Sequence, residues 1–220
     1  MENQHELLRN LTGPLSPIGG VALRLIGADS TTDAISGALC ISPRPKLGSK
    51  AHALELHPGV SETLIATYEE IHRCHIADFY RQLLCQMNGA HLFQISLLGI
   101  PPSMAKRPPL LNRSTSWPMD IGSAQRIAAS KYQSGAASYC VGFGPFSSDE
   151  RLGYFLRHTG EIEALRSNGN REGQWVDFRN FVSAELERAE AIYPQYEDRM
   201  RALRQKTTGW RGVLNRIFPF

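Results

Sequence analysis

Two successive stripes of apolar residues at helical spacing stand out between residues 61 and 89. Ser61 is suited to start the first helix, because its hydroxyl can accept a hydrogen bond from an otherwise unpaired backbone N–H. It is followed at helical spacing by Leu64, Tyr68 and Ile71. The second stripe comprises Ile76, Phe79, Tyr80, Leu83, Leu84 and Met87. Asn88-Gly89 then ends the helix, since both residues tolerate the left-handed cap conformation.

Alternation of apolar and polar residues predicts strands farther along the chain. These strands cover residues 92–98, 139–143, 152–156 and 161–165, and we expect the last two to form a hairpin. Between the first two strands Asp120 caps a short helix. The inner face of that helix is formed by Ala124, Ile127 and Ala128.

One more long helix is predicted after Trp175 and Asp177. Its inward residues are Phe178, Phe181, Val182, Leu186 and Ala189. Pro194 ends this helix and starts another. Helices and antiparallel strands thus come in separate groups, so the predicted fold class is α+β, with a mostly antiparallel sheet flanked by helices.

The two ends of the chain are less regular. Residues 21–26 and 38–41 are short β-type runs among glycines and prolines. We predict that residues 1–57 are an N-terminal extension packed on the domain, that residues 58–206 form the domain, and that residues 207–220 form an amphipathic tail. The apolar residues of this tail are Trp210, Val213, Leu214, Ile217, Phe218 and Phe220. Three interpretations of the tail compete, in this order: docking on its own domain, binding another protein, or lying on a membrane surface.

Composition and charge limit the classes of function. The chain is 42% hydrophobic and 20% charged, with a net charge of +3, which is ordinary for a globular protein. Aromatic residues do not alternate with the basic ones near the C-terminus, so a nucleic-acid surface is not predicted. No apolar stretch reaches the roughly 20 residues of a membrane span, and the first ten residues do not resemble a signal peptide. The four scattered cysteines predict reduced thiols and a cytoplasmic protein.

A search for catalytic or metal motifs gives little. His72, Cys74 and His75 are the one metal-like cluster; on a helix His72 and His75 would share a face with Glu69, while Cys74 would point away. No second cluster completes the ligand set that zinc requires. Other catalytic signatures are missing, including the nucleophile elbow and the phosphate-binding loop. We therefore predict no catalytic residues, no metal site and no cofactor.

The order of the central motifs resembles that of the SUKH superfamily, which takes in the fungal Smi/Knr cell-wall assembly regulators and many bacterial immunity proteins. The matching residues are Phe79-Tyr80, Leu83-Leu84, Met87, Asn88-Gly89 and Leu92-Phe93. Gly160-Glu161-Ile162 resembles the family's closing hairpin, and Trp175 to Phe178 with Phe181-Val182 resembles the entry to its final helix. The resemblance covers residues 58–192. Ala77 replaces the usual proline before the second helix, and the proline-rich stretch at 101–118 is long for the family.

This resemblance implies a binding scaffold without an active site, in which Asn88, Gly89 and Trp175 have structural roles. It implies a protein partner, and for bacterial members this partner is a toxin. The first hypothesis is therefore an immunity protein that neutralises a cognate toxin. A regulatory scaffold that binds a host protein is the alternative, and an enzyme with an unrecognised site is the third.

The partner is expected to dock on the sheet face and on the loops at its rim, chiefly residues 101–117 and 144–151. Aromatic and arginine residues are the commonest energetic anchors of interfaces, and charged neighbours set the choice of partner. The candidate residues are Arg107, Arg113, Trp117, Phe146, Asp149, Glu150 and Arg151. An equally weighted interpretation is that Trp117 and Phe146 simply cover the core.

Overall fold

A computed structural model describes residues 7–44, 51–101, 117–132, 138–147, 150–195 and 198, without the side chains of residues 145–150. The helices are α1 at residues 7–10, α2 at Ser16–Leu25, α3 at Glu62–His72, α4 at Asp78–Gln86, α5 at Ile121–Lys131 and α6 at residues 178–195. The strands are β1 at Thr31–Thr32, β2 at Leu39–Pro43, β3 at His52–Pro58, β4 at Met87–Leu92, β5 at Ile95–Gly99, β6 at Met119–Asp120, β7 at Ser138–Ser147, β8 at Glu150–Arg157, β9 at Ile162–Leu165 and β10 at Arg171–Trp175. The predicted α+β class is confirmed.

The described strands form one ten-stranded sheet. Its order is β1-β2-β3-β4-β5-β7-β8-β9-β10, and each strand of this path is antiparallel to its neighbours. The short β6 pairs in parallel with the end of β5, and β7 pairs with the preceding residues of β5. Apart from β6, the sheet is therefore a meander in which neighbours in sequence are neighbours in space.

One face of the sheet is apolar and packs against helices. Cross-strand partners on this face include Leu39, Leu56, Ala90 and Leu97, all of which are buried. Residues of the sheet and of α6 enclose a narrow apolar gap, lined by Leu92, Ile95, Leu97, Phe181, Val182, Glu185 and Leu186. The five residues predicted on the inner face of the last helix are all buried, so α6 covers this face as its periodicity predicts.

Local signals at the helix starts were predicted correctly. Ser61 Oγ accepts a hydrogen bond of 3.2 Å from the Leu64 N–H at the start of α3. Asp120 Oδ2 accepts one of 2.9 Å from the Ser123 N–H at the start of α5. Both bonds satisfy donors that a helix leaves unpaired at its first turn.

Two predicted inward positions are wrong. Ile71 of α3 and Ile127 of α5 are 59% and 45% exposed. The buried residues of α3 are Ile65 and Tyr68. The series that begins at residue 64 and the series that begins at Ile65 both pass through Tyr68 at helical spacing. Periodicity alone therefore could not choose between two faces that differ by one position.

The single strand predicted at residues 92–98 is also wrong, because these residues contain a hairpin turn. β4 ends at Leu92, and Phe93 and Gln94 form the turn that leads into β5. Phe93 has a positive φ of 55°. The turn dipeptide Phe93-Gln94 lacks the Asn-Gly or Gly-X pattern that identifies such turns. The alternating pattern therefore predicts one continuous strand where the structure has two strands and a turn.

The ends of α4 and α6 differ from their predictions. α4 ends at Gln86, and Met87 is already extended, so Asn88-Gly89 lies in β4 and is not the helix cap. Gly89 nevertheless has the predicted positive φ, at 77°. Pro194 does not end α6, because the helix continues through residue 195. The tail at residues 207–220 lies outside the described residues.

The N-terminal part contributes more regular structure than the sequence predicted. The β-type run at 21–26 is wrong, since it lies mostly in α2, which carries a proline in its first turn. The run at 38–41 is confirmed in β2. β2 pairs with β3, and β3 pairs with β4, so residues before 58 belong to the same sheet as those after it. The domain boundaries themselves stay a prediction.

Candidate functional site

The second face of the sheet carries a row of mainly polar cross-strand neighbours. Residues that pair directly across antiparallel strands project from the same face. The members of this row, from β1 to β7, are Thr31, Cys40, Glu55, His91, Ser96 and Phe143. His57 lies two residues beyond Glu55 in β3 and therefore shares this face. The row places polar and ionisable side chains from distant parts of the sequence next to one another.

His91 connects the row to the segment that precedes α5. Its Nδ1 lies 3.1 Å from Ser96 Oγ, and its Nε2 lies 3.2 Å from the Trp117 carbonyl oxygen. A carbonyl oxygen can only accept, so Nε2 carries the hydrogen and donates it to Trp117. In the tautomer that carries its hydrogen on Nε2, Nδ1 accepts the Ser96 hydroxyl. His91 thereby fixes the backbone of Trp117 against the sheet.

Arg151 reaches the same serine from β8. Its Nη2 lies 3.5 Å from Ser96 Oγ, and its guanidinium carbon lies 5.8 Å from the centre of the Phe143 ring, within the range of a cation–π contact. The Tyr132 hydroxyl donates a 2.7 Å hydrogen bond to the Arg151 carbonyl. Two candidate residues from separate segments, Trp117 and Arg151, are thus brought together through His91 and Ser96.

We refer to Trp117, His91, Ser96, Phe143 and Arg151 as the Trp117–Arg151 cluster. Trp117 and Arg151 are both half-buried. Among the described residues, the buried indole Nε1 of Trp117 has no hydrogen-bond partner. The cluster therefore brings the Trp117 backbone and the Arg151 guanidinium to the same His91–Ser96 pair.

The other predicted site residues are not tested. Arg107 and Arg113 lie outside the described residues, as do the side chains of Phe146, Asp149 and Glu150. The backbone pairs Phe146 with Arg151 at the end of the β7–β8 hairpin. These five residues stay candidates.

His57 is the most buried polar group of the second face. It is 2% exposed, and its ring centre lies 6.2 Å from that of His91. Burial and, to a smaller extent, the nearby His91 lower the pKa of His57 to about 3, while Asp33 opposes the shift. His57 is therefore neutral in the folded protein at physiological pH.

This neutral histidine predicts a loss of stability in acid. An unfolded histidine takes up a proton near pH 6.5, whereas folded His57 does not until about pH 3. The free energy of unfolding should therefore fall by up to about 1.4 kcal/mol per pH unit below pH 6.5. Urea unfolding at pH 7 and pH 5 checks this. His57→Gln should remove most of the slope, and the exposed His158→Gln should leave it; equal slopes in both variants would contradict the prediction.

The metal-like cluster does not have the geometry expected for it. α3 ends at His72, and Arg73 adopts a left-handed conformation, so Cys74 and His75 follow outside the helix. The His72 ring stacks on Tyr68 with centres 4.2 Å apart, and His75 Nδ1 lies 3.5 Å from Glu69 Oε1. Within the part of the chain that the structure describes, no group of three or more possible metal ligands converges.

Sequence reasoning missed His57, His91 and Ser96. A signal was present, because these polar residues interrupt segments that are otherwise apolar. Whether these side chains lie together depends on which residues pair across the sheet. The β4–β5 register follows from the turn at Phe93, which the sequence does not predict.

Comparisons of the chain with protein-family models, with curated proteins and with solved structures gave no match. Within the described ranges, no helix has both the length and the apolar character that crossing a membrane requires. Membership of the SUKH superfamily therefore stays a prediction from the motifs.

Proposed function

We propose that this chain is a protein-binding module, and specifically an immunity protein that neutralises a cognate toxin. The observation that carries the first part of this proposal is the Trp117–Arg151 cluster. Tryptophan and arginine dominate the binding energy of many interfaces. Here one of each lies beside the His91–Ser96 pair of the sheet, although the two residues come from separate segments.

The contacts inside the cluster favour binding because they fix its geometry beforehand. His91 holds the Trp117 backbone, and the Arg151 guanidinium contacts Ser96 and the Phe143 ring. Immobilising a long side chain on binding costs about 0.5–1.5 kcal/mol. The Arg151 side chain is already partly ordered in the free protein, so less of its contact energy is lost on binding.

The toxin as partner comes from the resemblance to the SUKH superfamily, and the cytoplasmic location is proposed from the scattered cysteines. The four cysteines Cys40, Cys74, Cys85 and Cys140 are free thiols, which is compatible with a reducing compartment. A host protein as partner would use the same surface, so the identity of the partner decides between an immunity protein and a regulatory scaffold.

The Ser96–His91 contact also has the form of a nucleophile and its base, which is the observation that favours an enzyme. Ser96 is 4% exposed, so a substrate carbonyl would first have to displace the groups that cover it. We therefore expect a serine-reactive fluorophosphonate probe to leave Ser96 unlabelled. Labelling that His91→Ala abolishes would replace the binding proposal with a hydrolase.

The binding proposal is tested with a partner captured from the native host on the full chain and then purified. Trp117→Ala should weaken its affinity about tenfold or more, which corresponds to about 1.4 kcal/mol. The matched control is Val176→Ala, whose side chain is 71% exposed and lies between β10 and α6. Unchanged affinity for Trp117→Ala with an intact fold would contradict the proposed surface.

A further inference from the structure

The turn between β9 and β10 carries an Asn-Gly pair, Asn168-Gly169, at the surface of the protein. Asn168 is exposed, and Gly169 has a positive φ of 82°. Two backbone hydrogen bonds close the turn: the Gly169 N–H donates to the Arg166 carbonyl at 3.0 Å, and the Arg166 N–H donates to the Asn170 carbonyl at 2.9 Å. The turn contains no residue of the proposed binding site, so its chemistry does not depend on the proposed function.

An Asn-Gly pair can react with itself in water. The backbone nitrogen of the glycine loses its proton and attacks the side-chain carbonyl carbon of the asparagine. The new bond closes a succinimide ring, and the side-chain nitrogen takes up a proton and leaves as ammonia. Water then opens the ring at either of its carbonyls, which gives aspartate or isoaspartate. Glycine favours ring closure, because no Cβ atom crowds the attacking nitrogen and the backbone is free to turn.

Two features of the turn favour this reaction at Asn168. Its side-chain oxygen Oδ1 accepts a 2.9 Å hydrogen bond from the Asn170 N–H. Negative charge develops on this oxygen when the carbonyl carbon is attacked, and a positioned N–H donor stabilises such charge. The attacking nitrogen of Gly169 is held by its bond to the Arg166 carbonyl at the tip of a surface hairpin. Contacts at such tips open at a low cost in free energy.

The chain has a second Asn-Gly pair, Asn88-Gly89, whose surroundings oppose the reaction. Asn88 is 4% exposed. Its side-chain nitrogen donates to the Ile100 carbonyl at 2.6 Å, and its Oδ1 accepts from the Ile100 N–H at 2.7 Å. Both polar atoms of this amide are therefore tied to backbone inside the protein. Gly89 can attack only after β4 has separated from β5, and these strands lie in the middle of the sheet, where opening costs most.

We propose that Asn168 is a site of spontaneous deamidation in the folded protein, and that Asn88 is protected from it. The modification replaces a neutral amide with a carboxylate, so the formal net charge of +3 falls by one. The isoaspartate product also adds one carbon to the main chain of the turn. Because the turn sets the register of a hairpin, this product should weaken the pairing of β9 with β10.

The test follows both sites in the full chain, folded and in urea, during storage in mildly alkaline buffer. Trypsin cleaves after Arg166 and Arg171, so Asn168 is released in the peptide of residues 167–171. Mass spectrometry of this peptide, and of the peptide that contains Asn88, measures the deamidated fraction over time. In the folded chain Asn168 should react at least about tenfold faster than Asn88, which corresponds to about 1.4 kcal/mol. In urea the two sites should react at similar rates, because each precedes a glycine.

The matched control is Asn168→Gln, which keeps the amide but has to close a larger ring, so its peptide should stay unmodified. A sample digested at the start corrects for deamidation during digestion. The proposal is wrong if folded Asn168 stays unmodified while it reacts in urea. It is equally wrong if Asn88 reacts as fast as Asn168 in the folded chain, or if fragmentation places the modification at Asn170.

Discussion

Gly89→Val is expected to lower the free energy of unfolding by about 4 kcal/mol or more, in the range that only severe local defects reach. Gly89 has a φ of +77°, and a Cβ atom there would lie 2.8 Å from the Leu98 carbonyl oxygen and 2.9 Å from that of Leu97. A β-branched residue resists positive φ. Backbone atoms held in a central strand also cannot move away, so strain and steric conflict add.

A matched pair of alanine variants separates these two effects. Gly160 also has a positive φ, of +91°, but a Cβ atom there would meet nothing within 4 Å. Gly160→Ala should therefore cost only the conformational strain, about 1–2 kcal/mol, whereas Gly89→Ala should cost clearly more. Urea unfolding measures both. Equal losses would show that the carbonyl contacts at Gly89 are unimportant.

Leu84→Ala is expected to cost about 2–5 kcal/mol, the usual loss when a buried leucine is truncated. Leu84 is 1% exposed and lies on the face of α4 that packs into the main core. Truncation removes buried apolar contacts and leaves a cavity that the surrounding helices and sheet fill only in part.

The control for this variant is Leu23→Ala on α2, because Leu23 is 56% exposed. Its effect should stay within about 0.5 kcal/mol, as for other surface positions. The midpoint and slope of urea unfolding are compared for the two variants. If Leu84→Ala lowers the free energy of unfolding by less than about 0.5 kcal/mol, Leu84 does not pack in the core as described.

Features that depend on a few neighbouring residues were predictable from the sequence. The caps at Ser61 and Asp120 and the stripe of the last helix follow from local hydrogen bonding and from a 3.6-residue period. The positive φ of Gly89 was predicted on the wrong ground. The glycine is needed for a close backbone approach within β4, and not for the end of α4.

The candidate site was predictable only in part. Trp117 and Arg151 stand out by residue type in segments expected to be loops. The link between them passes through His91 and Ser96, which meet because β4 and β5 form a hairpin around Phe93. A single sequence does not give this register when the turn carries no turn-type residues. The same limit explains why the buried His57 was missed.

Photo-crosslinking tests the central claim, that a protein partner binds at the Trp117–Arg151 cluster, most directly. A benzophenone amino acid is placed at position 117 in one variant and at the exposed position 176 in another. After exposure to purified partner, the first variant should crosslink to it in a one-to-one product and the second should not. Intact binding with no crosslink from position 117, or equal crosslinking from both positions, would contradict the claim.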